Sequence, residues 1–394
     1  MTIGYIIFLG NASILTGMAR PAPLTGPNKE VLDKFERSRK LKGLKDTTIN
    51  LKLWVVTGFA RYHNNKDLRE MGKDEIEEYI LHRRDTRAAK TADNDLVDLK
   101  VFYNWLVPDN NYFEDLKRPR KRRMLPSESP VTAEDIKLLL QYCKTQRNRA
   151  IIALTWDTAG RISEILGLNV GNIVFDQYGM VVVVNGKTGM RRIRTINATP
   201  EVQLWLNQHP YRDNPDAPLF TTQRAREGKF KRMDIRTVEN VFKQVMKDSG
   251  IKKNIHPHAL RHGKLTEMVK NGMGEMELRL FAGWEVNSDM PSTYLHLSGA
   301  DLDKKILTMN GIVEEDDQRE TPEALKPIEC PRCHTKNPSD AKYCSHCSLV
   351  LDAKTAIDLQ DNQVTAADLF AKRIQDPEFI AKVAQMMQEG QKRD

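Results

Sequence analysis

The residues best suited to chemistry are cations in unusual local contexts. Arg161 follows Gly160 between apolar segments, where an unpaired arginine is uncommon. His258 and Arg261 are three residues apart and would share one face of a helix. Lys187 stands at a glycine-flanked hairpin tip. Cleaving a phosphodiester with a side-chain nucleophile needs an attacking oxygen, positive donors and an acid for the leaving oxygen, and arginine can give one phosphate two hydrogen bonds.

Each of these features also has an ordinary structural interpretation. Arg161 could form a salt bridge with Glu164 three residues later, and Lys187 could be an exposed surface lysine. The H-x-x-R spacing of His258 and Arg261 occurs often by chance. No single feature therefore identifies the function.

The cysteines are concentrated near the C-terminus. Two C-x-x-C pairs are formed by Cys330, Cys333, Cys344 and Cys347. Two such knuckles joined by a hairpin suit a structural zinc ion with four thiolate ligands, so His334 and His346 are not needed as ligands. Redox-active pairs or free thiols would leave this short polar segment without a core. Cys143 lies in an apolar helical pattern and is predicted to be a buried structural thiol.

Composition points to a polyanionic partner. The chain has 394 residues, of which 40% are hydrophobic, so two or more domains with cores are expected. Its formal charge is +8, but residues 313–394 carry −5 and residues 1–312 therefore carry +13. This surplus favours DNA or RNA over an anionic membrane surface, with a merely soluble basic surface as the alternative.

The first part of the chain is predicted to be helical. Residues 1–27 are an N-terminal extension without the basic start of a signal peptide. Apolar residues at helical spacing predict an all-helical domain over residues 28–112. Residues 113–129 form a linker that could lie along phosphates or be only a solvated segment. Its basic residues are Lys117, Arg118, Arg120, Lys121, Arg122 and Arg123.

A second domain is predicted over residues 130–312, opened by a capping pattern of Thr132 with Asp135. The expected elements are helices at about 133–145, 147–157, 236–246 and 262–273, and a β-hairpin with strands 181–184 and 191–196. An acidic linker over 313–328, a zinc ribbon over 329–352 and a C-terminal segment 353–394 follow, the last with an amphipathic helix at 364–388.

Several motifs, in their order and spacing, resemble the tyrosine recombinase (phage integrase) family. They are Arg161 with Ser163–Leu166, Lys187 on the hairpin, Pro257–His262, Ala282–Trp284 and Thr293–His296. The resemblance spans about residues 28–305. It implies a mainly α multidomain protein, with a helical core-binding domain that binds DNA and a mixed α+β catalytic domain containing a small β-sheet. The C-terminal zinc ribbon and helix are additions to that family pattern.

The resemblance also implies a division of labour. Arg161 and Arg261 would hold the scissile phosphate, and Tyr294 would attack it to give a 3′-phosphotyrosine. Lys187 would protonate the departing 5′-oxygen. Because the covalent bond conserves the energy of the broken phosphodiester, rejoining would need neither ATP nor a catalytic metal.

Further residues would support this chemistry. Glu164 would support the clamp, and His258 would assist proton transfer or bind the phosphate. Trp284 stands where most family members have histidine, but its indole N–H can still donate a hydrogen bond. His256 and His262 are rivals to His258, although the three-residue offset to Arg261 favours His258. His296 is expected to support rather than to catalyse.

These observations predict a site-specific recombinase that acts on double-stranded DNA. A homo-oligomer, a tetramer on two DNA sites, is expected because strand exchange requires two duplexes. The protein is expected to be cytoplasmic and DNA-associated, in a bacterial or archaeal cell, with structural Zn²⁺, no catalytic cofactor and no membrane partner. The alternatives are a related nicking-resealing or end-resolving enzyme, and a zinc-ribbon DNA-binding regulator on an inactive scaffold. The complete catalytic set argues against the regulator.

Overall fold

The structure is a computed structural model. It describes residues 22–116, 130–186, 189–222, 224–225, 228–295 and 323–374. The chain divides into two compact units, one ending at Arg122 and the other beginning at Arg123. No helix among the described residues is long and apolar enough to cross a membrane.

The described part of the first unit is helical, as predicted. Its helices are α1 Pro27–Leu41, α2 Asp46–Tyr62, α3 Lys73–Thr86 and α4 Ala89–Leu106. Aromatic side chains fill the centre, and the rings of Phe35 and Phe102 pack edge to face with their centroids 5.1 Å apart. Asn28 crosslinks this core at its edge, since its side-chain oxygen accepts a 2.9 Å hydrogen bond from the Leu68 amide.

The second unit begins with a helical core that carries a small sheet. Its first elements are α5 Ala133–Gln141, α6 Gln146–Asp157, α7 Ile162–Gly167, β1 Ile173–Asp176, β2 Gly179–Gly186 and β3 Gly189–Thr195. They are followed by α8 Thr199–Asn207, α9 Ile235–Ser249, α10 Pro257–Lys270, α11 Glu275–Ala282 and α12 Ser292–Leu295. Helix α6 is the central helix: Ile151, Leu154 and Trp156 are at most 1% exposed.

The three strands form an antiparallel sheet in the order β1-β2-β3. Between β2 and β3 the register runs from Met180 opposite Thr195 to Gly186 opposite Gly189. Both strands extend closer to the hairpin tip than predicted, because the ladder continues through the polar and glycine residues beyond the apolar run. The tip, residues 187–188, lies outside the described residues.

Among helices α5 to α12, α5 and α10 differ most from the predicted boundaries. Helix α5 ends at Gln141 rather than near 145, because Thr145 caps the next helix and its side chain accepts a hydrogen bond from the Asn148 amide. Helix α10 begins at Pro257, five residues before the predicted start, with proline in the first turn, where its missing N–H costs nothing.

The cysteine ribbon packs against the helical core of its own unit. Its strands are β4 Ile328–Glu329 and β5 Lys336–Asn337, and helix α13 Ala353–Ile374 follows. Residues 323–325, within the expected acidic linker, form a 3-10 turn whose Leu325 joins the buried core. Asp340 lies 2.6 Å from Arg149 of α6, and the Lys336 ammonium donates to the carbonyl oxygen of Gln177. The ribbon therefore contacts the helical core directly.

Helix α13 begins eleven residues before the predicted start at 364. Asp352 caps it, because a carboxylate oxygen of Asp352 accepts a 2.8 Å hydrogen bond from the Thr355 amide. The predicted amphipathic segment beyond Ile374 lies outside the described residues.

Candidate active site

Arg161 is placed by the start of a short helix. It is the N-cap of α7, and its backbone amide donates to the Glu164 carboxylate while its guanidinium lies 2.7 Å from the other carboxylate oxygen. Gly160 allows this turn, since a Cβ there would lie 2.7 Å from a side-chain carbon of Ile165. The Arg161 side chain is 36% exposed, whereas that of Glu164 is 4% exposed. The cation therefore faces outwards from a buried carboxylate.

Arg191 is a second cation on the same carboxylate. Its Nη2 lies 2.8 Å from Glu164, and its Nε donates to the carbonyl oxygen of Phe281, near the end of α11. Burial alone would raise the pKa of Glu164, but the hydrogen bonds and charges of Arg191 and Arg161 outweigh it and lower that pKa to about 2. The carboxylate is therefore ionised. Through its bonds to Glu164 and Phe281, Arg191 links the hairpin to α7 and α11.

Two glycines make room for this contact. A Cβ at Gly186 would lie 2.6 Å from Glu164, and a Cβ at Gly283 would lie 2.7 Å from the Arg191 guanidinium. Gly283 also has a φ of 63°, which favours glycine at the end of α11. Sequence reasoning did not identify Arg191. The available signal was its position two residues before the buried Ile193, which places it on the inward face of β3.

Arg261 is fixed from below by backbone carbonyls. It is 3% exposed, and its two terminal nitrogens donate to Ala159 and Ala282 at 2.6 and 2.8 Å. Its guanidinium carbon lies 5.7 Å from the centre of the Trp284 ring. Burial, followed by the charge of Arg161, lowers the pKa of Arg261 to about 10. The arginine is still charged at neutral pH, in a place where additional negative charge would stabilise it.

Tyr294 contacts two other rings and is almost fully buried, with 2% of its surface exposed. The rings of His262 and Trp284 stack against it, each with a centroid distance of 5.7 Å. Its hydroxyl makes a hydrogen bond with Nδ1 of His262. Burial raises the pKa of Tyr294 to about 12, against the opposing charge of Arg261. The phenol is therefore protonated until a base removes its proton.

The structure separates the three histidines that the sequence offered. His262 contacts Tyr294, and its Nε2 lies 3.0 Å from Nε2 of His258. His256 instead occupies the N-cap position of α10 without a side-chain capping bond, and its Nδ1 is hydrogen-bonded to the carbonyl oxygen of Asn254 at 3.2 Å. Sequence spacing favoured His258, whereas His262 is the one beside the hydroxyl. Lys187, His296 and the basic run from Lys117 to Arg123 lie outside the described residues.

The four cysteines converge at one point. Their sulfur atoms all lie within 4.8 Å of one another. Both knuckles have the same backbone form: the residues after the second cysteines, His334 and Ser348, have φ near +60°, and their amides donate to the carbonyl oxygens of Cys330 and Cys344. The amides of His346 and of the Asn337 side chain point at the Cys344 sulfur, as they would at a thiolate. These residues fit a four-thiolate metal site.

His334 and His346, which were not expected to be ligands, lie outside the cluster of sulfur atoms. His334 is exposed and bonded to Glu329 at 2.8 Å, and His346 is exposed. Cys143 is half-buried, and burial raises the pKa of its thiol to about 12, in keeping with a structural role.

Two family models match the chain. The model of the phage integrase family matches residues 130–300, and the model of the phage integrase N-terminal SAM-like domain matches residues 31–111. A tyrosine recombinase XerC from Chlamydia caviae is 27% identical over 241 residues, which cover 57% of this chain and 74% of that relative. The cysteine ribbon lies outside both matched ranges.

Solved structures with the same fold include two complexes with DNA. The Tn1549 transposon integrase in complex with circular intermediate DNA has a TM-score of 0.56 and 20% identity, covering 70% of this chain and 98% of that one. A lambda integrase tetramer bound to a Holliday junction has a TM-score of 0.52 and 16% identity, covering 66% and 78%. This chain belongs to the phage integrase family, the tyrosine recombinases.

Proposed function

We propose that this protein is a site-specific recombinase that cleaves and rejoins double-stranded DNA through a 3′-phosphotyrosyl bond on Tyr294. The observation that carries the proposal is the charge of the site. Three arginines, Arg161, Arg191 and Arg261, surround one buried carboxylate beside a buried tyrosine. This leaves positive charge that a phosphodiester would balance, and the transition state of its cleavage carries more negative charge than the phosphodiester itself.

The proposed reaction exchanges one ester bond for another. The Tyr294 oxygen attacks the scissile phosphorus, the bond to the 5′-oxygen breaks, and that oxygen takes a proton from Lys187. Arg161 and Arg261 hold the non-bridging oxygens, and Glu164 and Arg191 hold Arg161 in place. Attack of a 5′-hydroxyl reverses the step and releases Tyr294. The bond energy is kept throughout, so no ATP and no catalytic cofactor are needed.

The fixed orientation of the Arg261 guanidinium supports its proposed role in binding the phosphate. Its carbonyl bonds to Ala159 and Ala282 fix the plane of the guanidinium before DNA binds. Trp284 packs against both Arg261 and Tyr294, so the nucleophile and the clamp share one wall. Fixed donors need no reorganisation during the reaction, which is the main advantage of a preorganised site.

Charge also supports the DNA partner and an assembly. Residues 1–312 carry +13, and six of their cations belong to the basic linker, where they would displace counterions from phosphate. Strand exchange needs two cleaved duplexes, so we propose a homo-tetramer on two DNA sites. A cytoplasmic, DNA-associated location fits this function.

We further propose that Cys330, Cys333, Cys344 and Cys347 hold one structural Zn²⁺. Zinc would supply the ribbon with the stability that its small core cannot. Replacing Cys330 or Cys344 with serine should remove about one zinc per chain, measured by mass spectrometry of the native protein, and unfold the ribbon. Brief treatment with a chelator should leave DNA cleavage intact, because no metal takes part in the proposed chemistry.

Covalent capture tests the proposed function. The full chain is incubated with a pool of randomised DNA duplexes, and DNA attached to protein is recovered under denaturing conditions and sequenced. The Tyr294→Phe variant should bind the recovered duplex but form no adduct, whereas Tyr178→Phe, which changes an exposed tyrosine, should behave as wild type. An adduct formed by Tyr294→Phe would refute the assignment.

The same assay separates the alternatives. Tyr294-dependent adducts without exchange between two duplexes would identify a nicking-resealing or end-resolving enzyme. Sequence-specific binding without any adduct would identify a DNA-binding regulator.

A further inference from the structure

Tyr294, His262 and His258 form a continuous hydrogen-bonded chain. The Tyr294 hydroxyl is bonded to Nδ1 of His262, and Nε2 of His262 lies 3.0 Å from Nε2 of His258. The two imidazole rings are 4.4 Å apart and nearly perpendicular. His258 and His262 are one helical turn apart on α10, so the helix itself fixes their spacing. The chain leads from a buried hydroxyl to His258, which is partly accessible to solvent.

Two proton arrangements use both hydrogen bonds when the two rings are neutral, because Nδ1 of His262 can either donate to the phenol oxygen or accept the phenol proton. The arrangement in which Nδ1 accepts leaves a base beside the nucleophile, and in it the proton of the His262 ring is on Nε2. That N–H donates to Nε2 of His258, whose own proton is then on Nδ1. The pKa of each histidine is lowered, first by burial and then by neighbouring positive groups that include Arg261, so both rings are neutral at neutral pH.

Packing holds the acceptor in place. The Trp284 ring stacks on the Tyr294 ring with a centroid distance of 5.7 Å, so a rotation of the phenol away from His262 would break this contact together with the hydrogen bond to Nδ1. Arg261, next to His262 in sequence, repels a proton from that ring in the resting state. With Nδ1 unprotonated, His262 is a correctly placed acceptor beside a phenol that must lose its proton before it can attack.

We propose that His262 is the base that accepts the Tyr294 proton and that His258 takes the charge onward. This inference rests on the proposed phosphotyrosyl chemistry. As the bond from the Tyr294 oxygen to phosphorus forms, the phenolic proton moves to Nδ1 of His262. The proton on Nε2 of His262 moves to Nε2 of His258, which becomes cationic beside the bound phosphate. The bond to the 5′-oxygen breaks with a proton from Lys187, and rejoining returns each proton along the same path.

The proton arrangement can be measured without DNA. Nitrogen-15 shifts of histidine side chains distinguish the two neutral tautomers, and the Gln variants of His258, His262 and His256 assign the signals. Wild-type protein should show His262 protonated on Nε2 and His258 protonated on Nδ1. In Tyr294→Phe the His262 signal should shift while that of His256 stays. A cationic His262 at neutral pH, or one protonated on Nδ1, would overturn the relay.

Cleavage kinetics test whether the chain carries the proton. On the duplex recovered by covalent capture, His262→Gln should slow adduct formation by roughly 100-fold, because glutamine can bond to the phenol but cannot take its proton. A matched duplex with sulfur in place of the 5′-bridging oxygen needs no leaving-group acid. It should rescue Lys187→Ala but not His262→Gln. Rescue of His262→Gln by sulfur would mean that His262 acts on the leaving group, which contradicts the proposal.

A second variant guards against a folding defect. His262→Ala should regain part of its cleavage rate with added imidazole, which a packing role would not predict. His256→Gln is the matched control on the same helix and should cleave at the wild-type rate. If wild type forms Tyr294-dependent adducts and His262→Gln forms them equally fast, the relay alone is wrong. If wild type forms no such adduct on any duplex, the proposed function fails and the relay fails with it.

Discussion

Two buried ion clusters in the second unit contain opposite balances of charge. At the candidate active site, Arg161 and Arg191 share the single carboxylate of Glu164. Where the ribbon meets the core, the single guanidinium of Arg149 is shared by Glu201 and Asp340 at 2.6 Å each. The first cluster has more positive than negative groups, and the second has more negative than positive groups.

The two clusters also differ in how their arginines are held. Burial alone would lower the pKa of Arg149, but its two carboxylates outweigh that effect and raise it, whereas burial and nearby cations lower the pKa of Arg261 to about 10. Two carboxylates balance the charge of Arg149, whereas the hydrogen bonds of Arg261 within the described residues go to backbone carbonyls. In a purely structural ion cluster, protein groups balance the charge of the arginine. In an anion-binding site, part of the positive charge is left unbalanced until the anion binds.

The largest expected effect comes from the cluster with spare cations. Arg161→Ala and Arg261→Ala should each slow adduct formation by roughly 10²–10³-fold, because a lost transition-state donor costs about 3–4 kcal/mol. Single-turnover cleavage of the captured duplex measures the rate. Arg212→Ala, which changes an exposed arginine, is the control. Wild-type rates in both site variants would remove the distinction between the two clusters.

Substitutions in the cluster of Arg149, Glu201 and Asp340 should change the stability of the protein rather than the rate of DNA cleavage. Glu201→Gln should lower the free energy of unfolding by about 3–5 kcal/mol, because it leaves a buried Arg149 without its main partner. Asp340→Asn should cost only about 1 kcal/mol, since Glu201 remains. Denaturant unfolding of the full chain measures both. The folded fraction of each variant should cleave as wild type does, and a selective loss of cleavage would show that this cluster is coupled to the chemistry.

The smallest expected effect is a loss of stability at acidic pH that depends on His258 and His262. Burial, followed by the charges of neighbouring groups that include Arg261, lowers the pKa of His258 to about 4 and also lowers that of His262. The titratable and charged groups that face these rings are Arg161, Arg261, His256 and Tyr294. Between about pH 6.5 and 4 the unfolded histidines bind protons that the folded ones do not, so stability falls as the pH falls. Replacing both histidines with glutamine should make the melting temperature depend less on pH over the upper part of this window. Sulfate should have a similar effect on wild type, because a bound anion favours the cationic rings; an unchanged slope in the double variant would contradict this.

Local spacing made part of this site predictable. The three-residue offset of Arg161 and Glu164 is a helix-capping distance, and the structure has both the cap and the ion pair. The same periodicity placed His258 beside Arg261 on α10, and the two C-x-x-C pairs gave two knuckles of one form. These features depend on a few consecutive residues, so the sequence by itself determined them.

Other contacts join residues that are far apart in the chain, and only the tertiary structure decided them. Arg191 reaches Glu164 across 27 residues, His262 reaches Tyr294 across 32, and Arg149 reaches Asp340 across 191. Helical periodicity puts His258 and His262 on one face of α10, and the three-residue offset to Arg261 favoured His258. The packing of α12 against that helix selected His262. Which side chains meet between distant segments depends on how the helices and the sheet pack, and no local spacing encodes that.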